Sequence, residues 1–173
     1  MILAIFGRCA VGKTTIAEIM GARLLIPVRH CGIALRAAAA EAGSTVEDAA
    51  GTIHARVDGE TIEWCERQAA GGGIVEGRFL DHVLSSQAGI FFIGMTATLE
   101  ERAKRLQGRL GREVGVGEIA DIDRADDLFR SDAYGLLRRA KASLTIDTTE
   151  GAAGAWAEEL ECRIREGPDT ARD

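Results

Sequence analysis

Short apolar segments alternate with longer amphipathic segments from one end of the chain to the other. The apolar segments predict five strands, which read ILAIF, LLIPV, GIVEG, GIFFIGM and SLTID. The third and fourth are continuously apolar, which is typical of parallel strands buried on both faces. Pro27 in the second indicates an irregular end or an edge position. The alternation predicts an α/β protein, a three-layer α/β/α architecture with a parallel sheet between two helical layers.

The segments between the strands have the spacing of helices, with apolar residues three and four positions apart. We expect a first helix from Lys13, a second that ends at Gly43, and a third that opens with a capping box of Ser44 and Glu47. We expect Asp58 and Gly59 to interrupt the helical pattern. Four further helices are predicted over ETIEWCERQAA, TLEERAKRLQGRLG, DRADDLFRSDAYGLLRR and GAWAEELECRIRE.

The sequence gives little indication of more than one domain. Neither an internal repeat nor a linker is evident, so residues 1–166 are predicted to form one domain, followed by a loose tail at 167–173. A polar, glycine-containing stretch is predicted between the fifth and sixth of these helical segments, ending at about Asp121.

The segment GRCAVGKT satisfies the pattern G-x-x-x-x-G-K-[ST] of a phosphate-binding loop (P-loop). It follows a predicted strand and opens a predicted helix, which is the context the pattern requires. Backbone N–H groups and the helix N-terminus bind phosphates, Lys13 reaches the β- and γ-phosphates, and the Thr14 hydroxyl binds Mg²⁺. The chain is therefore predicted to bind ATP and Mg²⁺ through Gly7, Ala10, Val11, Gly12, Lys13, Thr14 and Thr15. Arg8, inside the loop, is interpreted as solvated rather than as a phosphate ligand.

Charged residues follow the second and third predicted strands. Arg36 comes soon after the second strand, and Glu76 and Arg78 come at the end of the third. The carboxyl ends of parallel strands form the ligand site of such sheets, so these residues are expected near the loop. Two arginines there indicate an anionic acceptor, although each alone is equally consistent with a surface ion pair. Glu76 is interpreted as a ligand of Mg²⁺ or an orienting group for the acceptor, or else as a structural partner of Lys13 or Arg78.

A basic segment continues the chain, with Arg102, Arg105, Arg109 and Arg112 at three- and four-residue spacing. Arginines on a mobile flap stabilise the charge of a transferring phosphoryl group, and closure of the flap excludes water. The alternative is a solvated helix face, which fits Arg102 better than Arg109 or Arg112.

Composition narrows the class of protein. The 173 residues include 21 Lys and Arg against 27 Asp and Glu, a net charge of -6, which disfavours a broad nucleic-acid surface. The four cysteines form no CxxC pair, and the apolar start runs into the glycine loop rather than into a signal-peptide cleavage site. We expect a monomeric cytoplasmic protein without a membrane partner.

Together these segments resemble the compact, archaeal-type cytidylate kinases within the P-loop nucleoside monophosphate kinases. The resemblance spans GRCAVGKTT, GIALR, GSTVED, VEGRFLDHVL, ERAKRLQGRLGR, RADDLFRSDAYGL and LTIDTT. It implies a five-stranded parallel sheet of order 2-3-1-4-5, ATP with Mg²⁺ as donor, and a nucleoside monophosphate as acceptor. It also implies an acceptor-binding region at about 30–70 and a short arginine-rich lid at about 105–124.

The resemblance implies roles for individual residues as well. Arg36 and Arg78, with Gly32, correspond to residues that bind the acceptor phosphate, and Asp58 lies near the nucleoside. Asp127 and Arg130 correspond to residues that contact the acceptor and the phosphates. Arg105 and Arg109 stand at the start of the lid, where Arg105 would contact the donor and Arg109 the transferring group.

Three departures from the family pattern concern the acceptor and the lid. His30, followed by Cys31, replaces a small hydroxyl residue near the acceptor, where it is either a satisfied histidine at a strand end or a base for a hydroxyl. Asp123, with Arg124 beside it, replaces an expected lid arginine, so Arg124 takes that catalytic role in our prediction. Arg8 and Cys9 replace smaller loop residues.

The predicted function is ATP-dependent phosphorylation of CMP, dCMP or a related pyrimidine nucleotide, with Lys13, Glu76 and Arg130 as catalytic residues. The alternative is phosphorylation of a hydroxyl on a small metabolite or a modified pyrimidine base. In that alternative His30 is the base, and nucleic acid would be only a substrate. A nucleotide-dependent switch without phosphoryl transfer is a third interpretation, disfavoured because no guanine-reading Asn-Lys-x-Asp segment is found.

Overall fold

A parallel sheet of five strands in the order β2-β3-β1-β4-β5 forms the centre of the computed structural model, which describes residues 1–45, 51–135 and 138–166. The strands are β1 (Ile2–Gly7), β2 (Val28–His30), β3 (Gly73–Gly77), β4 (Ile90–Thr96) and β5 (Leu144–Asp147). The helices are α1 (Lys13–Leu24), α2 (Cys31–Glu41), α3 (Gly51–Gln68), α4 (Leu80–Val83), α5 (Leu99–Leu110), α6 (Val116–Tyr134) and α7 (Ala153–Glu166). The predicted fold class and strand order are confirmed.

Alternating residues of β1 divide the core between the two faces of the sheet. Leu3 and Ile5 pack with buried residues of α1 and α7, among them Ile16 and Leu160. Ala4 and Phe6 point to the opposite face, where they join buried residues of α3, β3 and α4. Both faces are therefore covered, and ligands have access to the sheet at the carboxyl ends of the strands.

The second strand is shorter than LLIPV predicts. Leu24 is the last residue of α1, and Leu25 caps that helix with a left-handed φ of 54°. Only Val28–His30 pair with β3, at the edge of the sheet. Pro27 therefore precedes an edge strand, in agreement with its interpretation.

The expected interruption at Asp58 and Gly59 is wrong, because α3 continues through both residues. Val57, Thr61 and Cys65 form a buried stripe along one face of this helix. A single glycine costs a helix about 1 kcal/mol relative to alanine, and burial of such a stripe outweighs it. The predicted capping box involves Glu47, which lies outside the described residues.

The stretch expected to be irregular to about Asp121 is also largely helical, since α6 begins at Val116. Ile119 is fully buried and packs with Ala103, Leu106 and Val114, so the start of α6 is fixed against α5. The connection between these helices is only residues 111–115. Within residues 1–45, 51–135 and 138–166, no helix is both long and apolar enough to cross a bilayer.

Candidate active site

The loop between β1 and α1 has a backbone that only small residues allow. A Cβ on Gly7 would lie 2.4 Å from the carbonyl oxygen of Met95 in the neighbouring strand. Ala10 and Gly12 have φ values of 61° and 95°, in the left-handed region. Consecutive residues with alternating handedness turn successive N–H groups to one side, and the N-terminus of α1 adds its own N–H groups. The loop is therefore shaped to bind an anion.

Lys13 is buried at the base of this loop and donates a hydrogen bond from Nζ to the carbonyl oxygen of Arg8, at 2.7 Å. Burial lowers the pKa of Lys13 to about 8, although nearby Glu76 opposes that effect. The ammonium group is thus still largely charged at neutral pH and lies where a phosphate can take the place of the backbone carbonyl. Thr14 and Thr15, the next two residues, are exposed.

The other side of the loop is held by β5 and α5. The Thr148 hydroxyl donates to the carbonyl oxygen of Val11 at 2.8 Å. Arg105 in turn donates from Nη1 to the Thr148 hydroxyl at 3.2 Å, and this nitrogen lies 3.6 Å from the position of a Cβ on Gly12. Nη2 of Arg109 lies 3.9 Å from the Cys9 sulfur. Both predicted lid arginines therefore contact the P-loop or its support.

Arg102 is a residue whose importance the sequence analysis missed. We interpreted it as better suited to a solvated helix face than Arg109 or Arg112, but its side chain is only 3% exposed. It donates from Nε to the carbonyl oxygen of Cys9 at 2.7 Å and binds both carboxylate oxygens of Asp123 at 2.6 and 2.8 Å. A signal was present, because position 102 shares a helix face with the buried Leu106 four residues later. At the position where the family pattern has an arginine, this chain thus has Asp123, which binds Arg102 of α5.

Glu76 and His30 lie side by side where β3 and β2 end. The two residues are register partners in the sheet, and Nδ1 of His30 lies 3.2 Å from Oε1 of Glu76. Glu76 is 5% exposed. Cys31 follows His30, and burial raises the pKa of its thiol to about 12, so it stays a neutral thiol. The structure therefore offers both a carboxylate and an imidazole at this edge of the loop.

Arg78 binds α6 through Asp126 rather than Asp127. Its Nη1 donates to Oδ1 of Asp126 at 2.6 Å. The second carboxylate oxygen, Oδ2, is buried and has no hydrogen-bond partner among the described residues. The charge of Asp126 also raises the pKa of Lys13, but less than the charge of Glu76 does. Asp126 was not among the predicted site residues.

Aromatic rings gather beyond Arg78, at the ends of α3 and α6. Phe129 lies 4.2 Å from the His54 ring and 5.3 Å from the Phe79 ring, measured between centroids. Tyr134 lies 5.7 Å from Phe79 and donates its hydroxyl hydrogen to Asp58 at 2.8 Å. Burial raises the pKa of Asp58, while the tyrosine hydrogen bond lowers it. We call His54, Phe79, Phe129 and Tyr134 the aromatic cluster.

Arg130 lies against this cluster, with its guanidinium 5.3 Å from the centre of the Phe79 ring. It also donates to the fully buried Asp81 at 2.8 Å and contacts Nε2 of His82 at 3.0 Å. These contacts fix the side chain of Arg130 beside the aromatic cluster. The same side chain borders a cavity of about 730 Å³ that Gly7 of the P-loop also lines.

Three predicted site residues are not assembled with the others. Arg36 is exposed on α2, with Nη1 3.6 Å from the Cβ position of Gly32. Arg124 is exposed and pairs with Asp121 on its own helix. Asp127 binds Arg8 rather than an acceptor-side residue. Arg8, interpreted as solvated, is exposed and also forms an ion pair with α6.

A P-loop between the first strand and first helix of a 2-3-1-4-5 parallel sheet is the fold of the P-loop kinases. The sequence model of a protein family described as AAA domain matches residues 3–126, and the chain belongs to that family. No curated protein matches the chain.

Solved structures, two of the following three named as kinases, share this fold at low sequence identity. Shikimate kinase from Acinetobacter baumannii in complex with shikimate has a TM-score of 0.66 at 16% identity, over 98% of this chain and 95% of that chain. A sugar kinase from Janibacter sp. HTCC2649 has a TM-score of 0.64 at 14% identity, covering 99% and 98% of the two chains. The Deinococcus radiodurans tunicamycin resistance protein has a TM-score of 0.63 at 20% identity, covering 94% of each chain. At such identities the similarity establishes the fold.

Proposed function

We propose that the protein is an ATP-dependent kinase whose acceptor is a nucleoside monophosphate, most suitably CMP, dCMP or a related pyrimidine nucleotide. The observation that carries this proposal is that Lys13 and Arg78 follow adjacent strands of the sheet, β1 and β3. One cation comes from the P-loop and the other from the end of β3, so a donor phosphate and an acceptor phosphate could be bound side by side. Phosphoryl transfer needs such alignment more than it needs covalent chemistry from the protein.

The donor half of the site would bind ATP through the loop N–H groups and Lys13. Mg²⁺ is coordinated by oxygen atoms and in kinases keeps several waters, so one or two protein oxygens suffice. The Thr14 hydroxyl and the Glu76 carboxylate would supply them. When bound, the ion would neutralise charge on the β- and γ-phosphates.

The acceptor half combines arginines with aromatic rings. Arg78 and Arg130 would bind the acceptor phosphate, and Arg36 would join them by a change of rotamer. The aromatic cluster offers ring faces for a base, and Asp58 offers a hydrogen-bond acceptor for an exocyclic amino group, as cytosine carries. A purely aliphatic polyol would leave both features unused.

The arginines of α5 would complete the site over the donor. Arg105, which lies near Gly12 and Thr148, would contact the nucleotide, whereas Arg109, beside Cys9, would move toward the phosphates on closure. The predicted catalytic role of Arg124 would require its side chain to leave Asp121 for a phosphate. Closure would also exclude water, which protects ATP from hydrolysis.

The test is an ATP-consumption assay with Mg²⁺ and a panel of CMP, dCMP, UMP, dTMP, AMP and GMP. We expect CMP or dCMP to stimulate ATP consumption most. Arg78→Ala should raise the KM for the acceptor on the order of tenfold or more with a smaller effect on the KM for ATP, because it removes a charged phosphate ligand. Arg67→Ala is the matched control, since Arg67 pairs with Glu63 on an exposed face of α3. Absence of stimulation by every monophosphate would refute this acceptor class.

A second candidate is transfer to a hydroxyl group, and the contact between His30 and Glu76 favours it. A histidine held by a carboxylate can take a proton from a hydroxyl, a step that an acceptor phosphate does not need. The panel should therefore include oligonucleotides with hydroxymethylated pyrimidines and small polyhydroxy acids. Under this candidate His30→Gln lowers transfer to the hydroxyl acceptor strongly, whereas under the first candidate it leaves CMP turnover nearly unchanged.

A further inference from the structure

We propose that Arg8 is a catalytic residue that binds the terminal phosphate of the donor, and that Asp127 positions it until ATP arrives. The inference rests on the proposed function only in that the donor is ATP, and it is independent of the identity of the acceptor. Sequence patterns assign no role to the residue after the first glycine of a P-loop, and the family resemblance places a smaller residue there.

The position of Arg8 in the loop brings it next to the phosphate-binding lysine. Its own carbonyl oxygen accepts the hydrogen bond from Lys13 Nζ at 2.7 Å. Its side chain borders the same cavity of about 730 Å³ as Gly7, Asp127 and Arg130. The guanidinium therefore lies at the edge of the phosphate-binding loop and lines a cavity that Arg130 lines as well.

Asp127 and α6 hold Arg8 through contacts that a phosphate could replace. Nη2 of Arg8 lies 3.0 Å from each carboxylate oxygen of Asp127, and Nη1 donates to the carbonyl oxygen of Asp123 at 3.1 Å. The Asp127 carboxylate thus uses only one nitrogen of the guanidinium, and release of α6 would make the two-nitrogen fork that binds phosphate available. Both side chains are well exposed, 44% for Arg8 and 57% for Asp127, and exposed ion pairs are weak. A multiply charged phosphate can therefore displace the carboxylate.

The arrangement around α6 supports a placeholder role for its carboxylates. Adjacent residues of this helix, Asp126 and Asp127, hold Arg78 and Arg8, which follow the neighbouring strands β3 and β1. Lys13 opens α1 after the same loop that contains Arg8, so three cations lie beyond the carboxyl ends of two adjacent strands. Like charges repel one another unless anions lie between them. The two carboxylates fill that need in the structure, and the phosphates of the substrates would fill it during the reaction.

The test compares binding of MgATP and MgADP, because only ATP has the phosphate that Arg8 is proposed to contact. Arg8→Ala should weaken ATP binding about tenfold, the size expected for a charge-assisted hydrogen bond, and change ADP binding less than about twofold. Slow ATP hydrolysis without acceptor should fall on the order of 10²-fold. Arg8→Lys should retain part of the ATP preference, because it keeps the charge without the fork. Arg163→Ala, which removes an exposed arginine paired with Glu159 on α7, is the control and should change none of these values.

Asp127→Asn separates a positioning role from a purely structural ion pair. Removal of the competing carboxylate should tighten ATP binding severalfold in the otherwise unchanged protein and have no effect in the Arg8→Ala background. Equal weakening of ATP and ADP binding by Arg8→Ala, or no change in either, would overturn the proposal. Failure of the unmodified protein to bind ATP would instead refute the proposed function itself.

Discussion

Arg102→Ala is the substitution for which the structure predicts the largest loss of stability outside the apolar core. The side chain is 3% exposed and makes three hydrogen bonds, one to the Cys9 carbonyl oxygen and two to Asp123. Its removal leaves the carboxylate of Asp123, itself only 16% exposed, with Arg8 as its remaining cation at 3.6 Å. The P-loop also loses the donor that fixes its Cys9 carbonyl.

The magnitude follows from these partners. Removing one member of a buried ion pair costs about 3–5 kcal/mol, because the other charge stays buried. Asp123 is partly exposed and keeps a distant arginine, so we expect the lower end, about 3 kcal/mol. For a chain of this size that corresponds to a fall in Tm of roughly 6–12 °C. Arg102→Lys keeps the charge but loses the fork, and we expect it to cost roughly half as much.

Urea denaturation monitored by circular dichroism measures this difference, with the free energy of unfolding taken at a fixed m-value. Arg163→Ala again serves as the matched control, and as a surface substitution it should change stability by less than about 0.5 kcal/mol. Asp123→Asn tests the coupling, since its effect should be much smaller in the Arg102→Ala background. A loss below about 1 kcal/mol for Arg102→Ala would show that the network does not stabilise the fold, and the reasoning would be wrong.

Three other changes give measurable outcomes. A phosphate bound next to Lys13 should raise the pKa of Lys13 above the value of about 8 that burial gives it, so the protein should take up a proton when ATP binds at pH 8.5. Calorimetry in two buffers of different ionisation enthalpy measures this proton uptake, and equal heats of binding in the two buffers would contradict it. Tyr134→Phe removes the donor to the half-buried Asp58, whose pKa is raised by burial and would rise further. The unfolding free energy should therefore fall by about 1–2 kcal/mol at pH 7 and by less at about pH 3, below the ordinary aspartate pKa, where the acid is protonated in both the folded and the unfolded state; equal losses would refute the assignment. Gly21→Ala places a Cβ 2.3 Å from Val28 and should cost roughly 1–3 kcal/mol in urea denaturation, whereas Ala22→Gly, the exposed neighbour, should cost less than about 1 kcal/mol.

The donor half of the site could be predicted because its residues are contiguous in sequence. The spacing of Gly7, Gly12 and Lys13 specifies a backbone shape directly, and the buried strand before it and the helix after it follow from local patterns. The strand order came from the family resemblance and is confirmed by the pairing of β1 with β3 and β4. The errors in secondary structure, at Asp58 and before Asp121, occurred where tertiary burial of Val57 and Ile119 outweighed local signals of polarity and glycine.

The acceptor half could be predicted only as residue types. Arg78 and Glu76 come at the end of a strand, so the edge of the sheet at which they lie could be predicted. Asp126 and Asp127 are adjacent on a helix and point to different partners. Whether Asp126 or Asp127 points toward Arg78 depends on the rotation of α6 about its axis and on the angle at which α6 crosses the loop. Neither is encoded in the local spacing of residues. The aromatic cluster combines His54, Phe79 and Phe129 from three separate segments, so only the tertiary structure brings it together.

The phase of α6 also explains why an acidic protein can hold a phosphate-binding site rich in arginine. Carboxylates of α6 hold three arginines around the loop: Asp126 holds Arg78, Asp127 holds Arg8, and Asp123 holds Arg102 and also lies 3.6 Å from Arg8. In the proposed function Arg78 and Arg8 bind substrate phosphates, whereas the buried Arg102 holds the P-loop. Phosphates would replace the first two carboxylates, because the side chains of Arg78 and Arg8 are 42% and 44% exposed, but not the third, whose arginine is almost fully buried. The helix α6 thus holds the P-loop permanently through Asp123, but it holds Arg78 and Arg8 only until substrate phosphates bind them. Binding of both substrates should therefore loosen α6 near Asp126 and Asp127 while leaving Asp123 in place.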